Sequence, residues 1–245
     1  MRNIKLVIEY DGKDFNGWQK QPNKLNIQGE IERAIKEITK EDVIELNASG
    51  RTDAGVHALG QVANFKTNSS IPVEKFPIAI NTKVKKSIII KSAEEVSERF
   101  HSRYNCKQKT YRYVINNSEY GSAIYRNLEC HIPQKLDVKE MKKAIKHFEG
   151  EHDFKGFKAS GTSGKNSVRK IFKTNISTEG DRIFIELTGS GFLYNMVRII
   201  SGTLVDVGLG KIKSDEIPEI ILSGDRKRAG KTLPPHGLYL VKVEY

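Results

Sequence analysis

The chain has 245 residues, with 41 Lys and Arg against 30 Asp and Glu, and a formal charge of +11. Hydrophobic residues make up 38%, mean hydropathy is −0.50, and ten Phe, nine Tyr and one Trp are spread along the chain, so the bulk of it is not disordered. No apolar run approaches the roughly 18 residues of a membrane-spanning helix, which argues against an integral membrane protein.

Met1 to Tyr10 reads as a strand interrupted by Lys5 and Glu9, not as a signal peptide. Asp11-Gly12 ends it with turn chemistry, and Asn26 caps an expected helix with Ile27, Ile31, Ala34, Ile35 and Ile38 on one face. Strands are expected over residues 43–47 and 61–65, with a Gly-rich loop between them. Pro72 and Pro77 open short helices, residues 87–91 return to strand, and 109–115 form another, with Tyr111, Tyr113 and Ile115 on one face of the pleat.

The second half repeats this grammar. Asp137 caps a helix carrying Val138, Met141, Ile145 and Phe148, and Gly150 follows its end. Strands at 167–177 and 182–188 lead to a helix over 192–207, with Leu193, Met196, Val197, Ile200 and Leu204 on its apolar face. A short helix at 214–222 precedes a closing strand at 237–245. The Gly-x-x-Phe turns at Gly12 and Gly189 hint at an internal duplication. The expected architecture is α+β: two related halves, 1–105 and 106–245, whose antiparallel sheets join into one central sheet.

Cys106 and Cys130 make neither a disulfide framework nor a metal cluster, which fits a reducing, cytoplasmic setting. The positive charge falls in clusters: Lys83, Lys85 and Lys86; Lys107, Lys109 and Arg112; Lys165, Arg169, Lys170 and Lys173; Arg226, Lys227, Arg228 and Lys231. Nucleic acid, an acidic membrane surface and plain solubility are the three readings of such clusters. Aromatics interleave with the second cluster at Tyr111 and Tyr113, a pairing that base stacking uses.

The densest motif is Gly50-Arg51-Thr52-Asp53-Ala54-Gly55-Val56-His57-Ala58. Asp in a Gly-rich loop often only bonds its own backbone. A loop presenting Arg, Asp and His within seven residues is a stronger candidate for chemistry. His57 and Asp53 do not make a hydrolase triad, since no Gly-x-Ser-x-Gly nucleophile accompanies them, and His57 reads as structural. Gly161-Thr162-Ser163-Gly164-Lys165-Asn166 lacks the spacing of a phosphate-binding loop and reads as a flexible basic loop.

The stretch Gly50–Ala58 resembles the signature of the tRNA pseudouridine synthase A family. Residues 10–19 (Tyr10-Asp11-Gly12 through Gly17-Trp18-Gln19) are similar to that family's opening strand and loop. Phe100-His101-Ser102-Arg103 with residues 109–113, Gly191–Arg198, and Thr232–Leu240 resemble its later motifs, in order. Ser102, Tyr104-Asn105-Cys106 and Leu233 depart from the family pattern, and none of them is the carboxylate, arginine or tyrosine that the family places in its site.

The resemblance implies the pseudouridine synthase fold and an isomerase that turns uridine into pseudouridine in the anticodon stem–loop of tRNA, at positions 38, 39 and 40. Asp53 would be the catalytic carboxylate, attacking C1′ or assisting a glycal-like intermediate. Arg198 would keep it ionised, and Tyr111 would stack on the target base. Arg51 would either fill the gap left by the flipped uridine or bind a phosphate. No cofactor or metal is implied. The partners are tRNA and a second copy of the chain. Two other classes stay open at this level: an RNA-binding module without catalysis, and an Asp/His hydrolase on an acidic substrate.

Overall fold

The structure, a computed structural model, describes residues 1–159 and 166–245. By their contacts these divide into two units, Met1–Lys107 with Tyr239–Tyr245, and Gln108–Leu238. In chain order the first unit supplies β1 (Arg2–Tyr10), α1 (Ile27–Thr39), β2 (Asn47–Ala48), β3 (His57–Thr67), α2 (Phe76–Asn81) and β4 (Ile88–Val96). The second supplies β5 (Gln108–Asn116), β6 (Cys130–His131), α3 (Val138–Lys146), β7 (Gly150–Asp153), β8 (Val168–Glu179), β9 (Arg182–Gly189), α4 (Met196–Gly208) and α5 (Ile217–Ser223). The closing strand β10 (Leu238–Glu244) follows. The fold is α+β.

In the first unit β1 lies between two antiparallel partners, with Ile4 opposite Phe65 of β3 and Glu95 of β4. Alternate residues Ile4, Leu6 and Ile8 are fully buried, as are Ile27, Ile31, Ala34 and Ile35 of α1. Each such isoleucine or leucine side chain contributes about 1.5–3 kcal/mol by leaving water, so the alternating strand and the three-and-four-spaced helix are held by one core. Asn26 caps α1 as expected, its Oδ1 accepting from the Gly29 N–H at 2.8 Å.

The strand expected at 43–47 shrinks to Asn47–Ala48. Its backbone is used elsewhere: Leu46 N–H donates to Glu32 Oε1 at 3.2 Å, and Leu46 O accepts from Gln28 Nε2 at 3.4 Å. Buried backbone groups must find some partner, and side chains of α1 supply it before a neighbouring strand can. The expected halves also differ from the observed units at the closing strand. β10 runs parallel to β3, with Tyr239 opposite His57 and Leu240 opposite Ala58, and Lys107 N–H donates to Glu244 O at 2.9 Å.

In the second unit the strand order is β5-β9-β8-β7, antiparallel throughout, with β6 parallel to β5. Tyr111, Tyr113 and Ile115 face the core opposite Leu187, Ile185 and Ile183. Asp137 caps α3, its Oδ1 accepting from Lys139 and Glu140 N–H. The helix expected from residue 192 begins at Met196, because Asn195 sits at φ 60 and interrupts helical geometry ahead of it. Among the described residues, no helix is long and apolar enough to cross a membrane. The Gly161–Lys165 part of the basic loop lies outside the described residues.

Candidate active site

The Asp53 loop of the first unit is pinned residue by residue. Gln61, fully buried, donates from Nε2 to Gly50 O at 2.9 Å and accepts from the Ser49 hydroxyl at 2.7 Å. At Thr52 the hydroxyl shares a 2.7 Å hydrogen bond with the Tyr10 phenol, and the carbonyl accepts from Trp18 N–H at 3.0 Å. Asp53 O accepts from Val56 N–H at 3.1 Å, closing a turn in which Gly55 takes φ 77. Gly17, at φ 84, lies so close to this turn that a Cβ there would stand 2.6 Å from Thr52 O. Asp53 is therefore half-buried on a loop whose backbone is held from both sides, between the exposed Arg51 and Ala54.

His57 closes the loop. It is buried, stacks on Tyr239 with centroids 4.9 Å apart, and its Nδ1 lies 3.1 Å from Gly12 N and 3.0 Å from Asp11 Oδ1. The neutral imidazole accepts from the Gly12 N–H through Nδ1; the Asp11 carboxylate is the partner of the protonated ring. Either way the ring ties the end of β1 to the start of β3.

The second unit carries the other two predicted residues. Tyr111 of β5 is buried with its ring edge-on to Phe192, centroids 5.1 Å apart at 78°. Arg198 of α4 is half-buried. Its Nε donates to Leu233 O at 2.6 Å and its Nη1 to Asn195 Oδ1 at 2.7 Å, so the guanidinium is oriented by a carbonyl and an amide rather than left to rotate. The neighbouring carbonyl of Pro234 accepts from the Tyr113 phenol at 2.7 Å. The segment Leu233-Pro234 thus joins the arginine to the tyrosine strand. Burial pushes the Tyr113 phenol far above its ordinary range, and Arg198 is close enough to pull the other way.

A model of the tRNA pseudouridine synthase family matches residues 6–105 and 144–245. The chain belongs to that family. It is 56% identical over 245 residues, the full length of both, to tRNA pseudouridine synthase A of Caldicellulosiruptor saccharolyticus. Identity is 54%, again over both full lengths, to the protein of the same name from Acetivibrio thermocellus and to tRNA pseudouridine synthase A 2 of Clostridium perfringens.

For a tRNA pseudouridine synthase, the sequence motifs put the eye on Asp53, Arg51, Tyr111 and Arg198 but not on what holds them. Tyr10, Gly17 and Asn195 lie inside those motifs with no role given to them by the sequence, and Gln61 lies outside them altogether. Asn195 had a signal, since Asn is a residue that tolerates positive φ. The Tyr10 to Thr52 and Gln61 to Gly50 bonds span the folded chain and leave no local trace.

The basic clusters also divide. Arg112 pairs with Glu186 at 2.8 Å and Lys83 with Glu37 at 2.5 Å. Arg226 donates to Ala229 O, Gly230 O and the Thr232 hydroxyl, fixing the loop that leads to Leu233. Lys85 and Lys86 are exposed. Among the described residues no group of three His, Cys, Asp or Glu could hold a metal ion.

Proposed function

We propose that this tRNA pseudouridine synthase isomerises uridine in the anticodon stem–loop of tRNA, at positions 38, 39 and 40, acting in the cytoplasm as a homodimer. Asp53 is the catalytic carboxylate. Arg198 is the cation that keeps it ionised, Tyr111 the ring that stacks on the target base, and Arg51 the side chain that fills the vacated stack or holds a phosphate.

The chemistry balances within the substrate. The N1–C1′ bond breaks, the uracil turns, C5 bonds to C1′, the C5 proton leaves and N1 gains one. Substrate and product share composition and oxidation level, so the reaction consumes no co-substrate. A carboxylate serves either by attacking C1′ and leaving when C5 attacks, or by assisting a glycal-like intermediate.

The observation that best supports Asp53 is the pinning of its backbone, because a nucleophile must be held to within a fraction of an ångström of its target. The test is to incubate the protein with unmodified tRNA and map pseudouridine by position, for wild type and Asp53→Ala. The expected result is modification at 38–40 by wild type alone. No product from wild type would end the isomerase reading, modification elsewhere would change the site, and an active Asp53→Ala would remove the aspartate from the mechanism.

A further inference from the structure

Beyond the motif residues, the first unit holds one exposed aromatic on an unusually fixed loop. Ser102 is fully buried. Its N–H donates to Asn64 Oδ1 at 2.9 Å, its hydroxyl to Asn47 O, and its carbonyl accepts from the Tyr245 phenol at 2.8 Å. Upstream, Asn3 Nδ2 donates to Ser97 O and Phe100 O, both at 2.9 Å, and the Phe100 ring packs on Tyr245 at 4.8 Å. Downstream, His101 and Asn105 exchange bonds: His101 N–H to Asn105 Oδ1 at 2.7 Å, and Asn105 N–H to His101 O at 3.0 Å.

Only two residues from buried Ser102, the Tyr104 side chain is 76% exposed. Its ring lies 4.3 Å from the His101 ring, tilted by 36°, and the Arg103 guanidinium sits 5.8 Å from its centroid. Arg103 N–H donates to His101 Nδ1 at 3.1 Å, which in the neutral ring leaves Nε2 as a donor. From Arg99 to Lys107 there are three permanent cations, one His and no acid.

A large exposed ring gains free energy when something covers it, and a fixed backbone beneath it lowers the entropy lost when that happens. Three cations with no acid between them along Arg99–Lys107 suit a polyanion, and a nucleobase has the π-face to extend a tyrosine–imidazole–guanidinium stack. We propose that Tyr104 is a stacking platform for an unpaired nucleobase of the RNA substrate, with Arg99, Arg103 and Lys107 meeting the adjoining phosphates. This rests on the tRNA-modifying function proposed above and adds a substrate contact to it.

The test compares wild type, Tyr104→Leu and Tyr104→Trp for binding of unmodified tRNA, for pseudouridine formation, for thermal unfolding and for sedimentation. Loss of the ring is expected to weaken tRNA binding and raise KM by about tenfold, in line with one base–aromatic stack. kcat at saturation and melting temperature should be unchanged, and Trp should restore affinity. The platform is overturned if Tyr104→Leu binds tRNA like wild type while both form pseudouridine. It is equally overturned if Trp is as weak as Leu, if the melting temperature falls with affinity, or if Tyr104→Leu sediments as a different oligomer, which would make the ring a subunit contact. A wild type that neither binds nor modifies tRNA fails the functional reading itself and takes this proposal with it.

Discussion

The Tyr10 phenol and the Thr52 hydroxyl share a 2.7 Å hydrogen bond between two buried side chains, one residue before Asp53. It couples the last residue of β1 to the loop that presents the carboxylate. Tyr10→Phe keeps the ring and strands the Thr52 hydroxyl, at a cost of about 1–2 kcal/mol. Urea unfolding should show that loss, and kcat should fall while tRNA affinity stays within about twofold. Equal losses in kcat and affinity would mean that the bond serves the fold in general rather than the loop.

Alkaline stability follows from the same residue. Burial raises the Tyr10 phenol from an ordinary 10.0 to about 12, and burial likewise raises Tyr113 and Tyr245. The folded state holds these protons more tightly than the unfolded chain does. Their contribution is therefore complete below pH 10 and declines as pH rises through the folded value, by about 1.4 kcal/mol per unit for each group. A phenolate absorbance titration should show part of the tyrosine population resisting ionisation until a cooperative unfolding step. A single smooth titration of all tyrosines with the fold intact would contradict the burial of these phenols.

Gly17 tests how closely the Asp53 turn is supported. Its φ of 84 disfavours any side chain, and a Cβ would meet Thr52 O at 2.6 Å. Gly180 has φ 55 with nothing within 4 Å of a Cβ. Gly180→Ala should cost about 1 kcal/mol from backbone conformation alone. Gly17→Ala should cost at least about twice that and depress turnover, because the clash is with backbone of the loop itself. Thermal unfolding of the two variants side by side decides it.

Orientation of Arg198 depends on Asn195, whose left-handed backbone and side chain do separate jobs. Asn195→Gly preserves the backbone and removes only the amide, so its effect isolates the 2.7 Å bond to Nη1. We expect kcat/KM to drop at least about tenfold, the equivalent of a hydrogen bond to a charged group, with stability little changed. Arg198→Lys, which cannot reach both Leu233 O and Asn195 Oδ1, should lose more turnover than tRNA affinity. If affinity falls more than turnover, Arg198 is a phosphate contact.

Salt dependence should separate two kinds of arginine and lysine. Attraction to tRNA falls with salt in proportion to the phosphates neutralised, roughly 0.7–0.9 in logarithmic slope per contact. Lys85→Ala with Lys86→Ala is expected to reduce that slope without moving the melting temperature. Arg226→Ala should do the opposite, because its guanidinium bonds three groups of its own loop. Measuring affinity at several salt concentrations alongside melting curves tests both.

What could be read along the chain was whatever short-range chemistry sets. Helix α1 follows from apolar spacing and the Asn26 cap, and α3 from Asp137, because each needs only neighbours three or four residues away. The candidate residues Asp53, Arg51, Tyr111 and Arg198 were legible as residue types in motifs, and the family as an ordered series of them. Tertiary structure decided what depends on distant partners. Leu46 gave its backbone to the side chains of α1, β10 went with β3 of the first unit, and α4 started late at Asn195. The rigidity of the Asp53 loop was also invisible, since it comes from Tyr10, Trp18 and Gln61, whose bonds to the loop close only when strands pair. The net charge of +11, plain in the composition, acquired its division the same way. Only the fold shows that Arg226 and Arg112 hold the protein together while Lys85 and Lys86 face water. A charge is a property of one residue; the use of a charge is set by what the folded chain brings beside it.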